Sequence, residues 1–179
     1  MESNILYKNE SLELCEDYID VGYMADNFTA STSDLEPFEF IRSHKDKSMT
    51  LLVSFPNKNE LYEEELLLID TLLNEIQVDI YCYAVFHKEL EKSADLQKKL
   101  SKFTLIYDTE DEFGNMYGTK IVSGSLEEQL TKSLFLISKD GAVFYLELPQ
   151  NIENKLDLQR LRVELNKAYI TYNGVGCHG

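Results

Sequence analysis

Three cysteines, Cys15, Cys82 and Cys177, are the residues of this 179-residue sequence best suited to redox chemistry. They are widely spaced and form neither a CxxC pair nor a Cys/His metal spacing, so no disulfide framework is indicated. Cys82 lies within a run of strand-forming residues, where a free cysteine commonly behaves as a small buried apolar side chain. Cys15 follows the first predicted strands and is interpreted as an ordinary edge residue.

Cys177 is the strongest candidate for a relocated redox thiol. It lies between glycines and beside His178, whose imidazolium can help to stabilise a thiolate. The alternative is an incidental cysteine in a flexible tail, residues 171–179. A third interpretation, a metal-carrying tail built on Cys177 and His178, is the weakest, because two ligands rarely suffice.

Four carboxylates, Glu60, Glu63, Glu64 and Glu65, crowd the start of a predicted helix. Residues adjacent in a helix do not share one face, so these side chains cannot all converge on one ion. A solvated first turn is the favoured interpretation, and His87 has no partner at metal spacing. The sequence therefore predicts neither a metal nor a cofactor.

The composition limits the partners that the chain can have. With 32 acidic and 17 basic side chains the formal charge is -15, which disfavours nucleic acids and anionic membranes. The length and the 44% apolar content predict one domain, residues 1–170. No apolar run approaches the ~18 residues of a membrane span, and the first twenty residues are acidic where a signal peptide is basic. The expected location is the cytoplasm.

Hydrophobic periodicity predicts an α/β fold. An N-terminal β-hairpin lies within residues 1–20, and a short loop follows it. The predicted strands are residues 49–55, 78–86, 103–107 and a hairpin of 133–138 with 142–148; the predicted helices are 61–76, 88–100, a short one near 113–117, and 156–169. Strands that alternate with helices and then finish antiparallel predict a mixed central sheet covered by helices on both faces, a thioredoxin-like plan.

Four segments in a fixed order carry a resemblance that covers nearly the whole chain. They are VGYMADNFTA (21–30), SFP (54–56), EFGNMYGTKI (112–121) and KSLFLISKDGAVFYLEL (132–148). Together they resemble the thiol peroxidase branch of the peroxiredoxins. In that family a PxxxTxxC arrangement follows the strand, and an arginine from the later hairpin completes the pocket. The helix N-terminus and the arginine favour the thiolate, which attacks peroxide.

The resemblance implies a degenerate pocket in this chain. Pro56 remains, but counting forward places Glu60 at the threonine and Glu63 at the peroxidatic cysteine. If the loop is one residue shorter, Tyr62 takes the cysteine position instead, and neither choice restores sulfur. A carboxylate there cannot be oxidised by peroxide and then reduced by a thiol.

Two further pocket positions also differ from the family. Lys132 matches the arginine and keeps its charge but loses the planar fork of donors. The resolving cysteine, on the helix after the second strand, falls near Asp95.

Two functions therefore remain open. The leading hypothesis is a peroxiredoxin-like protein without peroxidase activity, a binding or regulatory homodimer with a possible redox or protein partner. By resemblance its interface includes Tyr62, Phe113, Met116 and Tyr117, although a core role explains the aromatic residues equally well. The rival is a thiol-dependent peroxidase or oxidoreductase that uses Cys177.

Overall fold

The computed structural model of the chain describes residues 4–15, 19–42 and 48–171. Its strands are β1 (Asn4–Tyr7), β2 (Glu10–Glu13), β3 (Phe28–Ser31), β4 (Pro37–Phe40), β5 (Met49–Ser54), β6 (Ile80–Phe86), β7 (Phe103–Tyr107), β8 (Ser133–Ile137) and β9 (Val143–Glu147). Its helices are α1 (Asn59–Ile76), α2 (Ser93–Lys99), α3 (Glu112–Met116) and α4 (Leu158–Thr171), with one 3₁₀ turn at Gly124–Leu126. Within the described ranges, no helix has the length and apolar content to cross a membrane.

The centre of the molecule is a seven-stranded mixed sheet in the order β4-β3-β7-β6-β5-β8-β9. Strands β5, β6 and β7 are parallel to one another, while β8 runs antiparallel to β5, and β3 antiparallel to β7. The hairpin of β1 and β2 forms a separate two-stranded sheet. The predicted α/β, thioredoxin-like architecture with an N-terminal hairpin is therefore confirmed.

Strand β5 is buried at all six positions, as its continuous apolar sequence predicts for a central strand. On one face of the sheet, α1, α2 and α4 contribute to a core with Leu51, Val53 and Phe86. On the other face, Leu52 and Val85 form a second core with Phe113 of α3 and with Tyr117, which follows that helix. Helices thus cover both faces of the sheet.

Two strands lie where the sequence suggested only a loop. β3 and β4 pair antiparallel with four residues each, and Phe28 lies opposite Phe40 with ring centroids 5.1 Å apart. Because each strand carries only two buried or half-buried apolar residues, the period-2 pattern is too short to stand out. These strands extend the sheet at the β7 side.

Helix α2 is shorter than the predicted 88–100, since it begins only at Ser93. The preceding residues turn instead, and this places Leu90 in the core at 6% exposure. The predicted hairpin of β8 and β9 is confirmed, with Gly141 at φ 91° in its turn. Asp140 stabilises that turn by accepting a hydrogen bond from the amide of Ala142.

Candidate functional site

The candidate site lies at the edge of the sheet where the three parallel strands end. Pro56 follows β5, His87 follows β6 and Asp108 follows β7. Because β8 runs in the opposite direction, its first residue, Ser133, pairs with Ser54 and brings Lys132 to the same edge. Helix α1 begins here as well, so this edge has the position at which open α/β sheets bind ligands.

A groove of about 680 Å³ separates the start of α1 from the segment that joins β6 to α2. Four of the predicted site residues lie in its walls: Glu60, Tyr62, Glu63 and Asp95. The volume is in the usual range for a small-molecule or peptide site. We refer to this cavity as the α1–α2 groove.

The rim of the α1–α2 groove is charged with both signs, while its apolar lining is confined to a few side chains. The charged lining residues are Lys58, Lys88, Lys92, Lys99, Glu60, Glu63, Glu89, Glu91 and Asp95, and the apolar ones are Tyr62, Leu90 and Leu96. Leu90 and Leu96 are both buried. The groove therefore suits a ligand that has charges of both signs around an apolar part.

Tyr62 faces inward from α1. Its ring meets that of Phe86 edge to face at a centroid distance of 5.0 Å. Burial, followed by the nearby Glu63 carboxylate, raises the pKa of the Tyr62 phenol above its ordinary value. Glu63 instead turns to the surface, where its carboxylate lies 3.6 Å from the Lys99 ammonium. Tyr62 thus supplies a neutral aromatic surface at the position where the groove meets the core.

Lys132 is almost completely buried, at 2% exposure, and does not face the α1–α2 groove. Its ammonium donates to the Glu65 carboxylate at 2.6 Å and to the carbonyl of Asn154 at 2.9 Å. The second oxygen of Glu65 accepts the amide N–H of Leu156. These bonds join α1 to the chain that leads into α4.

Glu65 contradicts the expectation of a fully solvated acidic cluster at the helix start. Since α1 begins at Asn59, Glu60 is the only one of the four carboxylates in its first turn. Glu65 lies on the buried face of the next turn, at 7% exposure. Nothing in the local sequence distinguishes Glu65 from Glu64, which is exposed and pairs with Lys155. Only the position of Lys132, 67 residues further along, makes the difference.

Asp108 fixes α3 from the carboxyl edge of the sheet. Its buried carboxylate accepts the amide N–H groups of Phe113 and Gly114 at 2.9 and 2.8 Å. Burial raises the pKa of this carboxyl, while the two backbone hydrogen bonds act in the opposite direction. The sequence suggested only a solvated acidic loop here, because a cap of this kind depends on the fold around it.

The described cysteines lie away from the α1–α2 groove. Cys82 is buried at 3% exposure in β6, between Leu51 and Phe103, and burial raises the pKa of its thiol. The interpretation of Cys82 as a structural residue is confirmed. The thiol of Cys15 donates to the carbonyl of Gly114 at 3.2 Å, on the α3 side. Cys177 and His178 lie outside the described residues.

The remaining predicted residues have mixed outcomes. Phe113 and Tyr117 are fully buried, so the core interpretation holds for them and the interface interpretation is wrong. Met116 is 41% exposed.

His87 is a boundary residue as expected, with Nδ1 3.7 Å from an oxygen of Asp111. In the described part of the chain, no three His, Cys, Asp or Glu side chains are placed to hold a metal ion.

The sheet order, with α1 beginning beside Pro56 at the carboxyl edge, defines a thioredoxin-like protein of the peroxiredoxin type. The chain belongs to the redoxin family, whose family model, Redoxin, matches residues 65–162. No curated protein sequence shows a significant match to this chain.

Solved structures show the same fold over nearly the whole chain. A peroxiredoxin-like protein from Aquifex aeolicus is 17% identical with a TM-score of 0.82, covering 94% of this chain and 98% of its own. A thiol peroxidase from Chromobacterium violaceum is 19% identical with a TM-score of 0.78, covering 93% and 98%. The mitochondrial 2-Cys peroxiredoxin of Plasmodium falciparum is 16% identical with a TM-score of 0.66, covering 88% and 99%. At these identities the likeness establishes the fold.

Proposed function

We propose that this redoxin-family protein is a binding or regulatory protein without peroxidase activity. The observation that carries the proposal is the start of α1 at the carboxyl edge, where Glu60, Tyr62 and Glu63 line the groove. None of these three side chains contains the sulfur that peroxide chemistry needs at this position.

The surroundings of Tyr62 and Glu63 favour Tyr62, and not Glu63, as the residue at the position of the family's peroxidatic cysteine. Tyr62 packs inward against Phe86, whereas Glu63 reaches the Lys99 ammonium near the surface. A phenol with a raised pKa is neutral at physiological pH and has no route to a sulfenic acid. On this proposal, the groove at the start of α1 holds no nucleophile for peroxide.

The bonding of Lys132 supports the loss of activity independently. In the family the matching arginine favours the thiolate, which requires its charge to face the site. Here the Lys132 ammonium is occupied by Glu65 and by the Asn154 carbonyl. A new thiol at the start of α1 would therefore lack this stabilisation.

The alternative is a thiol-dependent peroxidase or oxidoreductase that uses Cys177. Cys177 and His178 lie outside the described residues, so the distinction between the two functions depends on the activity of the Cys177→Ser variant.

Peroxide consumption tests the proposal directly. Purified protein with hydrogen peroxide and dithiothreitol should consume no more peroxide than an equal concentration of free cysteine. Cys177→Ser and Cys82→Ala variants should behave as the unmodified protein does. A catalytic rate that Cys177→Ser abolishes would establish the alternative and overturn the proposal.

The proposed assembly is a homodimer, and the proposed location is the cytoplasm. Met116, exposed at 41%, and the half-buried Tyr62 are the two predicted interface residues that keep exposed surface. Light scattering at micromolar concentration should give twice the monomer mass, and a monomer would contradict the dimer.

A further inference from the structure

His87 and Asp111 form a titratable contact at the carboxyl edge of the sheet. His87 follows β6, and Asp111 directly precedes α3. The imidazole Nδ1 lies 3.7 Å from Asp111 Oδ1, with the two side chains 22% and 32% exposed. Both atoms are buried, and neither has a hydrogen-bond partner among the described residues. At 3.7 Å the atoms are too far apart for a hydrogen bond, but they form an ion pair when the imidazole is protonated.

The other charged groups around this imidazole leave an excess of negative charge. The second oxygen of Asp111 lies 3.2 Å from the Lys120 ammonium. The Asp108 carboxyl is also near: burial raises its pKa, and His87 is among the charges that lower it. Two carboxyl groups therefore lie near one ammonium, while Lys88, the residue after His87, lines the α1–α2 groove. A protonated His87 supplies the second positive charge.

The contact lies between one wall of the α1–α2 groove and α3. From His87 the chain continues into residues 88–92, all of which line the groove. The start of this wall is already bound to the loop before α1, because Asn57 Nδ2 donates to the Lys88 carbonyl at 2.7 Å. On the other side, the Asp111 carbonyl accepts the amide N–H of Asn115 in α3 at 3.0 Å. An ion pair between His87 and Asp111 therefore connects the groove wall to α3.

We propose that protonation of His87 converts its contact with Asp111 into an ion pair, which fixes the β6–α2 wall of the α1–α2 groove against α3. The imidazole takes up one proton from solvent and donates its Nδ1–H to Asp111 Oδ1. Imidazoles change charge between about pH 5 and 8, so the wall is held more firmly at the acidic end of that range. The stabilisation is present while His87 is protonated and is lost as the pH rises.

This inference concerns the regulation of the proposed binding groove and rests on the proposed function, but its test needs no ligand. The measurement is amide hydrogen exchange of Ser93 and Asn115 in the intact protein at about pH 5.5 and about pH 7.5. The Ser93 amide donates to the Leu90 carbonyl at 3.3 Å in the groove wall, and the Asn115 amide reports on the start of α3.

Both amides should be better protected from exchange at the lower pH. Their protection factors, which are corrected for the intrinsic effect of pH on exchange, should be about three- to fivefold higher there, since opening of either segment breaks a partly exposed ion pair.

Asp111→Asn gives the sharpest variant, since it removes the charge and keeps the shape of the side chain. Asparagine also tolerates the left-handed φ of 59° at this position. The pH dependence should disappear in Asp111→Asn and in His87→Gln. Lys120→Gln is the matched control, because it removes the other partner of Asp111 and leaves His87 in place. That control should keep the pH dependence.

Protection factors that do not change with pH in the unmodified protein, or that change equally in Asp111→Asn, overturn the inference. The peroxide assay on the same samples separates it from the proposed function. If exchange responds to pH as expected and peroxide is consumed catalytically, the ion pair stands and the proposed function is wrong. If neither is observed, only the pH response is wrong.

Discussion

Lys132 and Glu65 form an ion pair that is almost entirely withdrawn from solvent, with the two side chains 2% and 8% exposed. They lie 67 residues apart and connect α1 to the start of β8. In the resemblance to the peroxiredoxins, Lys132 matches an arginine that stabilises the thiolate. In this chain it stabilises the fold.

Breaking this pair should be costly. Lys132→Met leaves the Glu65 carboxylate buried without a counter-ion and should lower the free energy of unfolding by about 3–5 kcal/mol. Urea denaturation followed by circular dichroism gives the value. Lys155→Met is the control, because Lys155 and Glu64 form an exposed pair at 3.3 Å, for which about 0–1 kcal/mol is expected. Similar losses in both variants would contradict the structural role of Lys132.

Asp108 should make the protein less stable as the pH rises. Burial raises its pKa in the folded state above the ordinary value of an aspartate, so the folded protein binds this proton more tightly than the unfolded chain does. Its favourable contribution is complete below the unfolded pKa and is lost as the pH rises through the folded pKa. Stability of the unmodified protein relative to Asp108→Asn should therefore fall from about pH 4 upward.

The measurement for Asp108 is the difference in unfolding free energy between the two proteins across that pH range. Taking the difference removes the contributions of the other carboxylates, provided that they are unchanged. A difference that grows in favour of the unmodified protein as the pH rises would show that hydrogen bonding to Phe113 and Gly114 outweighs burial.

The Cys82 thiol should be inert in the folded protein. It is 3% exposed, and burial raises its pKa, so the thiolate that reacts with disulfide reagents is scarce. Ellman's reagent should modify Cys82 in guanidinium chloride and leave it unmodified in buffer, as peptide mapping would show. Rapid modification of Cys82 in buffer would contradict its placement in β6.

Restoring sulfur to α1 should not restore peroxidase activity. Tyr62→Cys or Glu63→Cys places a thiol at the start of the helix, but Lys132 remains bonded to Glu65. Both variants should react with Ellman's reagent, Glu63→Cys faster because Glu63 lies nearer the surface. Neither should consume peroxide catalytically, and strong turnover by either would show that Lys132 is available to the site.

The sequence is sufficient to predict the parts of the fold that rest on local patterns. The apolar run of β5, the amphipathic α1 and the Asp140-Gly141 turn each follow from a few neighbouring residues. β3 and β4 are not predictable in this way, because four-residue strands give almost no periodic signal. The start of α2 is not predictable either, because no neighbouring residue indicates that Leu90 lies outside the helix and packs in the core.

The candidate site was only partly predictable for a related reason. Motif spacing located Glu60, Tyr62, Glu63 and Asp95, which the fold brings to one groove. It could not identify the pairing of Glu65 with Lys132, which depends on residues 67 positions apart. Long-range pairing of this kind leaves no mark in a single sequence.

Oxidation of the protein by hydrogen peroxide in the presence of dimedone, followed by mass spectrometry of the peptides, tests the central claim most directly. The adduct forms only on a sulfenic acid, the first product of a peroxidatic thiol. We predict no adduct at stoichiometric peroxide within the time that a thiol peroxidase needs for many turnovers. A dimedone adduct on Cys15, Cys82 or Cys177 that forms at low peroxide, and that dithiothreitol prevents, would contradict the account.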